Sequence, residues 1–136
     1  MGTVIYLDTH VVAWLYAGRT DLLPSLAKAL IEGNELLLAP IVTLELQFLY
    51  ETKRTAEPAA RVIDALAVEI GLQLCDLPFA DVARAAANES WTRDPFDRIL
   101  VAQARFRGEP LLTKDREIRR RYEAAVWDRH RGAIGE

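Results

Sequence analysis

Two apolar runs, Val4-Ile5-Tyr6-Leu7 and Leu36-Leu37-Leu38-Ala39, are too short for helices and lack the in–out alternation of a half-exposed strand. Such runs read as strands buried on both faces, the condition of a parallel sheet covered by helices. Helical spacing follows each of them, so the chain is organised as successive βα units. The sequence predicts strands over residues 3–7, 36–39, 72–75 and 110–113, with 125–127 as an edge strand. Helices are expected over 9–17, 24–32, 43–54, 57–70, 79–88, 95–107 and 116–122. Gly33-Asn34, Gly71 and Gly108 act as stops, Thr43 as a cap, and Asp94-Pro95 as a cap with a first-turn proline. The expected fold is α/β: a three-layer α/β/α domain with a mostly parallel sheet of four to five strands, residues 1–136 forming one domain.

The strand-to-helix junctions carry acids: Asp8 after the first apolar run, Glu45 after the second, Asp94 and Asp97 in one block, and Asp115 after Leu111-Leu112. Taken singly, each has a local explanation. Asp8, Asp94 and Asp115 can cap helices, while Asp97 and Glu45 lie early in helices, where negative charge suits the dipole. Taken together, they fall on the carboxyl edge of a parallel sheet, where such folds bind ligands. Clustered like charges are costly unless protons or a cation compensate. Oxygen donors without a His or Cys cluster favour Mg²⁺ or Mn²⁺ over zinc. Such ions suit phosphodiester chemistry, in which a bound water is activated and a leaving oxygen neutralised.

Other chemistries find little support. The chain has no G-x-S-x-G elbow and no Walker glycine loop. Its one cysteine, Cys75, sits in an apolar strand and reads as a core thiol, and it permits no intramolecular disulfide. His10 lacks a partner and reads as helix surface, and His130 is given no role. The net charge of −3 excludes a strongly basic nucleic-acid binder at whole-chain level but not a local basic rim. There is no run of about 20 apolar residues to span a bilayer and no signal-type N-terminus, so a cytoplasmic protein without membrane association is expected.

Three segments carry a family resemblance: Tyr6-Leu7-Asp8-Thr9-His10, Leu44-Glu45-Leu46, and the block from Asp94-Pro95-Phe96-Asp97-Arg98 to Ala104. With Leu112-Thr113-Lys114-Asp115, the chain resembles PIN-domain ribonucleases of the VapC toxin type over nearly its whole length. The resemblance implies metal-holding, catalytic roles for Asp8, Glu45, Asp97 and Asp115, with Asp94 an accessory ligand or water-orienting group. Thr9 and Thr113 would add hydroxyls at the site's edge. It also implies an RNA substrate, an antitoxin that blocks the site, and a homodimer. Where relatives often carry a His two residues before the block's first Asp, this chain has Thr92.

Arg93, Arg98, Lys114 and Arg116 flank the acids and could hold phosphates, or pair with those acids instead. Trp91 could stack on an unpaired base or pack over the next helix. Arg119-Arg120-Arg121 reads as a solvated helix face. Trp14, Leu15, Tyr16, Leu22, Leu23, Phe48, Leu49 and Tyr50 offer more apolar surface than two short helices easily hide. The leading expectation is a Mg²⁺- or Mn²⁺-dependent endoribonuclease. The alternatives are a non-catalytic PIN-like interaction module and, ranked last, a receiver-like domain, which would want adjacent acids after the first strand.

Overall fold

The computed structural model describes residues 3–128. His130 lies outside the described residues. Five strands, β1 (Val4–Leu7), β2 (Glu35–Leu38), β3 (Gln73–Leu74), β4 (Leu111–Leu112) and β5 (Ala125–Val126), form one sheet in the order β3-β2-β1-β4-β5. Every pairing is parallel, with Ile5 opposite Leu36, Leu7 opposite Leu112, Leu38 opposite Leu74 and Leu112 opposite Val126. The sheet grows from β1 outward to β3, then returns to the other side of β1 to add β4 and β5. That reversal puts a topological switch point between β1 and β4, beyond their carboxyl ends.

Helices fill the connections: α1 (Thr9–Tyr16), α2 (Ser25–Gly33), α3 (Pro40–Glu51), α4 (Ala59–Ile70), α5 (Phe79–Ala86), α6 (Pro95–Phe106) and α7 (Arg116–Arg121). Ile5, Tyr6 and Leu7 of β1 and both residues of β4 are buried, whereas both residues of the edge strand β3 are exposed. The strands and helices share one hydrophobic core. Within it α3 packs on α1, α4 and α6, and α5 packs on α6.

The observed elements fall on the expected ones, with bounds shifted by up to a few residues. One cap differs. The third helix begins at Pro40, with Ala39 as its N-cap, and Thr43 lies inside it. The proline supplies a pre-set φ and lacks only a donor that a helix start leaves unpaired anyway, so it starts the helix before Thr43 is reached. Pro24 likewise precedes its helix as the N-cap. Gly71 ends α4 in the left-handed region at φ 72°, where a side chain is disfavoured.

Candidate active site

Asp8 ends β1 and caps α1: its Oδ1 accepts from the Thr9 backbone N–H at 2.7 Å, and its Oδ2 from the Thr113 hydroxyl at 2.6 Å. Thr113 follows β4, so this bond crosses the switch point and links residues 105 apart in sequence. The Thr9 hydroxyl donates to Glu45 Oε1 on α3 at 2.6 Å. Both threonines are fully buried. They fix two carboxylates from behind, by hydrogen bonds to the charged form.

The remaining acids are placed by helix starts. Asp94 caps α6, accepting from the Phe96 and Asp97 backbone N–H groups at 2.9 and 3.4 Å. Asp97 lies in the first turn of that helix. Asp115 caps α7 through the Ile118 N–H at 2.9 Å, and its own N–H donates to the Thr113 hydroxyl at 3.0 Å. Thr113 thus joins the Asp115 backbone to the Asp8 carboxylate.

The electrostatics show which acids share one field. Asp97 is pushed up to about 7, first by burial and then by the charges of Asp94, Asp115, Asp8 and Glu45. The other four acids therefore all act on Asp97. Burial also raises Asp8 and Glu45, while their threonine hydroxyls pull each back down. The gathering is looser than the sequence suggests. Among the described residues, no three His, Cys, Asp or Glu side chains are arranged to hold a metal ion. Asp8, Glu45, Asp94 and Asp115 are each tied to a cap or hydroxyl, and the set does not form a closed cage. The donors are hard oxygens carrying mutually repelling charge, which fits a Mg²⁺-like ion and not zinc.

The basic candidates divide. Arg98 is turned inward: its Nε donates to the Ala86 carbonyl at 3.2 Å, its Nη2 to Ala87 at 3.0 Å and its Nη1 to Thr92 at 3.4 Å. These bonds fasten the end of α5 and the loop that leads to Asp94, the structural alternative to the expected phosphate role of Arg98. Arg93 is exposed and donates to the Ser90 and Thr92 carbonyls at 3.0 and 3.4 Å. Lys114 and Arg116 are exposed beside Asp115. Trp91 packs against the core, and its indole N–H is held by Glu89 at 2.8 Å, so the stacking role is not supported. Cys75 is buried and accepts a hydrogen bond from the Tyr6 hydroxyl at 2.9 Å, as a core thiol should.

One group of residues escaped sequence reasoning. Buried Glu89 accepts from Arg105 Nε at 2.8 Å as well as from Trp91. Arg105 also reaches Glu123 and the Arg121 carbonyl, and lies 4.9 Å from the centre of the Tyr122 ring. The network ties the loop before Asp94 to the end of α7. Its members are spread over 35 positions, Glu89 to Glu123, with no motif to announce them.

Against this geometry, comparison with known proteins is consistent. The PIN domain family matches residues 5–124. Ribonuclease VapC22 of Mycobacterium tuberculosis is 32% identical over 119 residues, covering 86% of this chain and 91% of the relative. A toxin–antitoxin complex from Klebsiella pneumoniae contains a chain of the same fold, with TM-score 0.66 and 17% identity over 93% of this chain and 98% of that one. VapBC2 from Rickettsia felis, bound to a promoter DNA fragment, gives TM-score 0.62 and 15% identity over 93% and 100%. The chain belongs to the PIN domain family, as a member of the VapC type.

Proposed function

We propose that the protein is a metal-dependent endoribonuclease toxin of the cytoplasm that hydrolyses phosphodiester bonds in RNA and is restrained by an antitoxin. The observation that carries this reading is the gathering of Asp8, Glu45, Asp94 and Asp115 around Asp97 near the switch point, where burial first and then their charges lift Asp97 to about 7. A purely structural protein gains nothing from such repulsion, whereas a cation bound there relieves it. The kinship with a ribonuclease of the VapC type supports the choice of RNA.

Asp8, Asp97, Asp115 and Glu45 would hold Mg²⁺ or Mn²⁺, with Asp94 at the edge. The ion would supply an activated water and charge neutralisation at the leaving oxygen. The chain's own groups do the rest. Thr113 and Thr9 hold Asp8 and Glu45 in register, leaving their free lone pairs for the mouth. Lys114, Arg93 and Arg116 form a positive rim for neighbouring phosphates on a mildly acidic protein.

Leu22, Leu44, Phe48 and Tyr50 are exposed apolar residues, the last three on α3. They suit an amphipathic antitoxin segment or a second copy of the chain. No helix among the described residues is long and apolar enough to cross a membrane.

The test is cleavage of a mixed RNA pool by purified, partner-free protein with Mg²⁺ or Mn²⁺, beside an Asp97→Asn control. Metal-dependent cutting that the control loses supports the reading. A folded wild type that neither cuts RNA nor binds Mn²⁺ at millimolar concentration overturns it in favour of an interaction module.

A further inference from the structure

Next to the acids lies a run of rings with Lys114 of the rim on it, and the proposed reaction uses none of the rings. His10 and Trp14 sit one turn apart on α1, with ring centroids 6.1 Å apart. Trp127, just past β5, is 6.1 Å from Trp14 on centroids, and Lys114 Nζ lies 5.9 Å from the centre of the Trp14 ring. Trp127 is buried, Trp14 is partly buried, and His10 and Lys114 are exposed, so the run climbs from the core to the surface. It also starts at the acids. His10 is near enough for its charge to bear on both Asp8 and Glu45, and Lys114 adjoins Asp115.

We infer that the His10–Trp14–Lys114 surface is a nucleobase platform, on which an unpaired base of the RNA stacks while its phosphate lies toward the acids. The inference rests on the ribonuclease reading above and adds to it the feature that selects single strands. A base within a duplex is already stacked on its neighbours and cannot lie flat on a side-chain ring, whereas an unpaired one can. Aromatic faces accept any base, so the platform gives strand selectivity without demanding a sequence. Lys114, placed against Trp14, is also within reach of the phosphate of a nucleotide seated there, and it supplies the local cation that a chain of net charge −3 needs beside a cluster of acids. An apolar protein segment is a poorer match, because Lys114 lies on the ring run and the acids adjoin its surface end. The exposed apolar side chains lie elsewhere, at Leu44, Phe48 and Tyr50 of α3.

The experiment compares two probes, a fluorescein-labelled oligouridylate of eight nucleotides and an abasic ribose-phosphate oligomer of equal length. Binding is followed by anisotropy with Mg²⁺, in an Asp97→Asn background that leaves the probes uncut. The expected result is a preference for the base-bearing probe of about fivefold or more, the low end of base–aromatic stacking. Trp14→Leu should abolish that preference, and Trp14→Phe should keep most of it. Should Trp14→Leu fail to fold, His10→Ala decides, since an exposed residue can be truncated without touching the core; it should reduce the preference. Equal binding of the two probes overturns the platform, as does a full preference in the folded Trp14→Leu protein, or in His10→Ala where that variant decides. A wild type that still cuts RNA under either outcome leaves the nuclease reading intact, whereas one that fails to cut brings down that reading first.

Discussion

The acids around Asp97 and the ion pairs around Arg105 are built from the same residue types and brought to opposite balance. Around Arg105, a guanidinium answers Glu89, Glu123 and a main-chain carbonyl, and the Trp91 N–H satisfies what remains of Glu89. Around Asp97, five carboxylates meet, and their hydrogen-bond donors are hydroxyls and helix N-termini, with no guanidinium paired to them in the way that Arg105 is paired to Glu89. Buried charge that is paired serves the fold, while half-buried charge set beside like charges is retained against the fold's interest. The Arg105 network and Arg98 brace the loop and helices that carry the second set.

Substitutions should separate the two regions. The largest effect is expected for Asp97→Asn, which should lower RNA cleavage at least about a hundredfold, since even groups behind a metal ligand cost 10- to 100-fold. Its urea midpoint should stay level or rise, because a repelled charge has been removed. Arg105→Ala should do the reverse. Losing it leaves Glu89, 8% exposed, without its cation, and unfolding free energy should fall by about 3 kcal/mol, the low end for a broken buried pair because Arg105 is itself 37% exposed. A destabilised Asp97→Asn beside an unaffected Arg105→Ala would break the contrast. Thr113→Val is milder: Asp8 loses its hydroxyl donor, so Mn²⁺ affinity measured by calorimetry should drop about tenfold with little loss of fold.

The smallest effect is in pH. Asp97 has a folded value raised to about 7 from 3.8, so between those values the folded state binds more protons than the unfolded. Stability of the metal-free protein should therefore fall as pH rises from about 4 to 7. Thermal melts should show that slope flattened in Asp97→Asn. The stabilisation produced by added Mn²⁺ should grow over the same interval, because binding must displace the proton. A slope that survives the substitution would place the repulsion elsewhere.

The sequence exposes these regions unequally. The βα alternation follows from Val4–Leu7 and Glu35–Leu38, whose buried faces leave few other choices, and Asp94-Pro95 marks a helix start by local chemistry alone. Acids at junctions are legible because parallel strands share one carboxyl edge. The strand order is not, since Leu111–Leu112 carries no mark that sends it beside β1 and not beside β3. Thr43 misleads because cap preference is a local tendency, overridden by Pro40 three residues earlier. Arg98 is ambiguous in the sequence for a different reason. A guanidinium beside an acid motif looks like a phosphate ligand until the fold brings the carbonyls of Ala86 and Ala87 to it. The Glu89–Arg105 pair is a long-range contact that depends on how α5, α6 and α7 pack.

The hydrogen bond from Thr113 to Asp8 has a consequence for a chain being synthesised. It joins residues 105 positions apart, and Asp115 lies beyond it. A nascent chain that has emerged through β2 but not β4 has neither the hydroxyl that steadies Asp8 nor the acid opposite. If the chain is a toxin, a ribosome making it therefore carries a disarmed polypeptide until the segment from Leu111 onward has emerged. The acids and the hydroxyl that steadies one of them are separated in time as well as in sequence.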